Sequence, residues 1–168
     1  DRVAKGVGPK EETLKEAETE LKETKLNMAS KKKTFTTNVN TFNQNTPFLL
    51  IARVEVKPGK VQEYLKLAKD VDTAVKDSEP GMLHHTFDQD PNNKQIFVWT
   101  EVYQNDAAFL KHLSNPPVGK YLELGGPLQA NFEVEVYGTV GAECKKAMEA
   151  TKLPLKIFNS EFGYTRIQ

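Results

Sequence analysis

Between Phe48 and Tyr137 the spacing of the apolar residues alternates between two and three-to-four, and that order admits very few folds. "FLLIARVEV" is a strand with Phe48, Leu50, Ala52, Val54 and Val56 on one face. Leu49 and Ile51 start the other face, followed by Arg53 and Glu55, so both faces are apolar where the strand begins. "KPGK" turns the chain into a helical pattern carried by Val61, Tyr64, Leu65, Ala68, Val71 and Val75, which "SEPG" ends. "MLHHTFD" predicts a second strand with Leu83, His85 and Phe87 together, and "QDPNNK" a hairpin connection. In "QIFVWTEVY", Phe97, Trp99, Glu101 and Tyr103 share one face. Asn105 can cap a helix whose inner side carries Phe109, His112 and Leu113, and Pro116 and Pro117 interrupt it. "NFEVEVYG" supplies a last strand with Phe132, Val134 and Val136 inward. The order is β-α-β-β-α-β: an α+β, ferredoxin-like sandwich. Helices cover one sheet face, and a second copy is the simplest cover for the other.

The flanks differ. Residues 1–47 form a charged helical tail and linker. Pro9 and the Glu- and Lys-rich run after it favour a helix. Leu14, Leu21 and Met28 recur every seven residues, and Phe35 and Phe42 are the only aromatics there. These five are the expected partner-binding residues of a segment with too little apolar surface to fold alone. After the 48–137 domain, residues 138–168 are an added extension. "GAECKKAMEA" reads as a helix burying Cys144, Ala147 and Met148, and "LPLKIF" and "FGYTRI" as two short strands.

Composition excludes several classes. Formal net charge is zero, so no overall field draws the chain to nucleic acid. A single cysteine, Cys144, permits no intrachain disulfide and no cysteine-rich metal site. No apolar run approaches the roughly 20 residues of a membrane span. No metal is expected. The chain opens at Asp1, so an organellar presequence removed in processing is one expected history among many.

"IARVEVKPGK", "SEPGMLHHTFDQDPNN", "VWTEVYQNDAAFLKHLSNPP" and "EVEVYG" are similar, in this order, to the antibiotic biosynthesis monooxygenase domain, of the dimeric α+β barrel superfamily. The resemblance implies a dimeric barrel and, as activity, cofactor-independent oxygenation of an aromatic or quinol substrate. It also admits members without activity. The family's glutamate-x-tryptophan strand pattern falls here on Glu101 and Tyr103, and its helical histidine on His112. Where histidine-rich members place a second histidine five residues on, this chain has Pro117. The candidate catalytic residues are therefore His112, His85 and Tyr103, with Trp99, Glu101, Phe87 and Phe109 binding substrate. Haem, the alternative cofactor, would take His112 or His85 as axial ligand. Two functions stay open. One is a non-catalytic interaction module, tethered by its tail in a larger assembly or paired as a homodimer. The other is the oxygenase.

Overall fold

The computed structural model describes residues 17–25 and 42–167, in two units, 1–41 and 42–168. In the first, residues 17–25 are helical (α1) and exposed throughout, with Leu21 55% exposed. Leu14, Met28 and Phe35 lie outside the described residues.

The second unit runs β1 (Phe48–Val56), α2 (Val61–Ser78), β2 (Met82–Gln89), β3 (Ile96–Tyr103), α3 (Asp106–Ser114), α4 (Pro116–Gly125), β4 (Gln129–Tyr137), α5 (Ala142–Ala150) and β5 (Leu155–Phe158). The strands form one sheet in the order β2-β3-β1-β4-β5, antiparallel except for the parallel pair β4–β5. This is the ferredoxin-like α+β arrangement with an added edge strand.

Local chemistry explains the element boundaries. The Asn105 carboxamide oxygen accepts from the Ala108 amide at 3.0 Å and opens α3. The proline pair splits the second helical region in two: Asn115 ends α3, and Pro116 occupies the first turn of α4, where its missing N–H costs nothing. Gly81 sits so close to α3 that an added Cβ would lie 2.7 Å from the Ala108 Cβ, so only glycine lets α3 pack there.

Tyr64, Ala68, Val71 and Val75 of α2 are buried with the inner face of β1 and with Phe97, Trp99 and Tyr103 of β3 in one core. Cys144 and Met148 of α5 join it, and burial pushes the Cys144 thiol up to about 12. Two expectations need correction. A bulge between Met82 and His84 shifts the β2 register, so Met82 pairs with Tyr103 and packs on the core, while His85 pairs with Glu101 and Phe87 with Trp99. Simple alternation had given that place to Leu83. And only the first predicted C-terminal strand forms; "FGYTRI" has no regular structure, Phe162 being 92% exposed.

Candidate active site

Helix α2 supplies two carboxyl groups seven residues apart, Asp72 and, at its C-cap, Glu79, so both lie along one side of the helix. Each meets a histidine from another element. Asp72 Oδ1 is 2.5 Å from His85 Nδ1, on β2. Glu79 Oε2 is 2.9 Å from His112 Nδ1, on α3. A carboxylate can only accept, so each Nδ1 is the nitrogen that donates, and Nε2 is the ring atom left to face the cleft.

The two pairs sit in different surroundings. The Glu79 side chain is 2% exposed, and its other oxygen accepts from Asn115 Nδ2 at 2.5 Å. Burial alone would raise the Glu79 carboxyl. The hydrogen bonds from His112 and Asn115, with the nearby charges of His112 and Lys111, outweigh it and hold the group below the usual carboxylate range. Lys111 Nζ also donates to the Ser78 carbonyl at the end of α2, where a cation complements the helix dipole. The Asp72 side chain is 47% exposed.

Both histidines open onto one cleft between the sheet and the helices, lined also by Trp99, Glu101, Phe109 and Tyr121. His85 stacks on Trp99 with ring centroids 4.7 Å apart, and Trp99 leans on Phe87 at 4.3 Å. Trp99 Nε1 donates to Tyr64 Oη at 3.3 Å, and the Tyr64 and Tyr121 hydroxyls are hydrogen-bonded to each other. Burial, then the neighbouring Tyr64, raises Tyr121 far above its ordinary value, so it stays a neutral phenol. Glu101 Oε2 accepts from Tyr103 Oη at 2.7 Å, and its Oε1 lies 3.8 Å from His85 Nε2.

The cleft thus brings together His85, Trp99, Glu101, Phe109 and His112 of the expected residues. Two others stand behind it. Tyr103 is fully buried among Phe48, Phe109 and His112, and burial followed by the Glu101 charge raises its hydroxyl well above the ordinary value. It orients Glu101 and cannot serve as a catalytic phenolate. Phe87 backs Trp99 and does not line the cleft. Sequence reasoning missed Asp72 and Glu79, whose seven-residue spacing on α2 was the available signal, and Tyr121, whose helix was split by the proline pair. Among the described residues, no group of three or more His, Cys, Asp or Glu side chains could hold a metal ion, and no helix is long and apolar enough to cross a membrane.

The sheet with helices packed on one face is the ferredoxin-like α+β fold, and the cleft lies between sheet and helices. Residues 47–124, a little under half of the chain, match the model of the antibiotic biosynthesis monooxygenase family. An uncharacterized protein of Synechocystis sp. is 28% identical over 92 residues, which cover 54% of this chain and 62% of that protein. The chain thus spans about three-fifths of that relative. A conserved protein from Methanosarcina mazei Go1 is similar in structure, with a TM-score of 0.53 at 21% identity over 57% of this chain and 95% of that one. A candidate antibiotic biosynthesis monooxygenase from Caulobacter crescentus CB15 gives a TM-score of 0.55 at 22% identity, over 59% and 94%. At such identities these two likenesses speak to the fold alone.

Proposed function

We propose that the cleft binds an electron-rich phenol or quinol and oxygenates it without a cofactor. The observation that carries this reading is the pair of imidazoles on one apolar cleft, each with Nδ1 committed to a carboxylate. His112 is the general base and His85 the second proton-handling group. Nε2 of His112 takes the hydroxyl proton, and the anion passes an electron to dioxygen. The radical pair combines at the ring carbon ortho or para to the oxygen. Loss of water from the hydroperoxide then leaves a quinone, so one oxygen atom ends on the ring and the other in water with the two hydrogens released. Trp99 supplies a flat wall for the ring.

His112→Ala should lower oxygen uptake with a naphthol or quinol substrate by roughly 10²–10⁴-fold, the ordinary worth of a general base, with the far-UV spectrum unchanged. Uptake equal to wild type would remove His112 from the mechanism. The alternative, a tethered non-catalytic module in a larger or organellar assembly, depends on the tail, and nothing among the described residues adds support to it. Within the same proposal, a second copy covers the outer sheet face, where Val102, Leu49, Tyr137 and Phe158 form one row across four strands. Tyr137 and Phe158 are 38% and 46% exposed and stack with centroids 4.8 Å apart. Light scattering at micromolar concentration should give twice the chain mass; a monomer there would refute the pairing.

A further inference from the structure

The cleft crosses the whole sheet, and its polarity changes from one edge to the other. Cleft-lining residues that pair across the strands run Trp99, Ala52, Val134 and Leu155, from β3 to β5, and His85 adds the β2 edge. Four strand spacings make that distance roughly 19 Å. At the β2–β3 end stand the polar groups, His85, Glu101 and Asp72, with His112 of α3 above them. Ala52, on the central strand, contributes only a methyl to the floor. Beyond it the lining is Phe132 and Val134 of β4, Met148 of α5, and Leu153 and Leu155. Among the described residues, Thr151 is the only polar side chain at this end, and its hydroxyl is committed to the Met148 carbonyl at 2.7 Å. This apolar end is built from residues 132–155, past the segment of residues 47–124 that matches the family.

We infer that the C-terminal segment forms a subsite for an apolar substituent, so the ligand is a phenol or quinol bearing an alkyl or similarly apolar chain away from its reacting hydroxyl. A polar atom placed against that wall would lose water and gain no partner, whereas each buried methylene gains affinity. Leu153 and Leu155 are half-buried, so the wall has surface left to cover. The inference rests on the reading of the histidine end as the place where the hydroxyl is recognised.

The test uses 4-methyl-, 4-butyl- and 4-hexylphenol without oxygen, with binding read from quenching of Trp99, the single tryptophan of the chain. In the wild type, affinity should rise roughly three- to four-fold per added methylene. Leu155→Gln and, in parallel, Leu153→Gln should flatten this dependence to less than two-fold per methylene, while 4-methylphenol binding stays within two-fold and reports an intact fold. If 4-hexylphenol binds the wild type no better than 4-methylphenol, or if both variants keep the full dependence, the subsite is wrong. Oxygen uptake is scored separately. Chain-length dependence without uptake would uphold the subsite and overturn the oxygenase chemistry.

Discussion

The Asp72–His85 and Glu79–His112 pairs share one helix, one cleft and one kind of hydrogen bond, yet differ in exposure: 47% for the Asp72 side chain against 2% for that of Glu79. The exposed pair can be broken cheaply, because water replaces the lost partner. The two imidazoles are equally exposed, 14% each, but removing Glu79 takes away an acceptor shared by His112 and Asn115 at a place water reaches poorly. Carboxylate–imidazole chemistry is thus the same at both places, while the contribution to stability is set by solvent.

The largest effect expected from this contrast is on Glu79→Ala, which should lower the free energy of unfolding by about 3 kcal/mol in urea titration, against under about 1 kcal/mol for Asp72→Ala. Equal losses would erase the distinction.

Acid sharpens it next. The Glu79 carboxyl is held below its ordinary value of 4.5 in the folded protein, so unfolding takes up protons in that range. Its stabilisation is full above pH 4.5 and is lost as pH falls through the folded value. Asp106 has the opposite sign. Burial raises it above 3.8, against the hydrogen bond from the Gly141 amide, so its contribution is greatest below pH 3.8 and declines as pH rises through the folded value. Urea midpoints measured from pH 3 to 7 should fall less steeply toward acid in Glu79→Gln than in wild type, and more steeply in Asp106→Asn. A wild-type slope retained in Glu79→Gln would show that its carboxyl is not the titrating group.

A smaller effect belongs to Asp72→Asn. It leaves stability within about 1 kcal/mol and can keep an oxygen on His85 Nδ1, but it removes the negative charge beside that ring, so oxygen uptake should fall roughly ten-fold and its pH profile should shift. An unchanged profile would leave His85 outside the mechanism. The smallest effect is expected from deleting residues 1–41. Residues 42–168 form a compact unit, so its thermal midpoint should stay put; a large drop would show that the tail supports the domain.

Some features were legible early because they depend on near neighbours. The alternation of Phe48, Leu50, Ala52, Val54 and Val56 announced a strand, and all five are buried. Asn105 announced a cap and provides one. The Leu83 error has the same origin seen from the other side. Alternation presumes an unbroken strand, and a single extra residue at the Met82–His84 bulge reverses the faces before it. Tyr103 lay on the expected face, but facing inward did not mean facing the cleft. Phe48, Phe109 and His112 enclose it, and its hydroxyl is taken by Glu101.

By itself, the sequence determined the order of elements, the inward faces of β1 and β3, and the histidine and tryptophan that a cleft could use, since periodicity and capping act over a few residues. Only the tertiary structure decided which groups meet. Asp72 and His85 are 13 residues apart, Glu79 and His112 are 33 apart, and Leu155 joins Val134 through a parallel pairing that closes the apolar end. Burial then gave two like carboxylates unlike surroundings, because desolvation depends on everything packed around a group and not on the group itself.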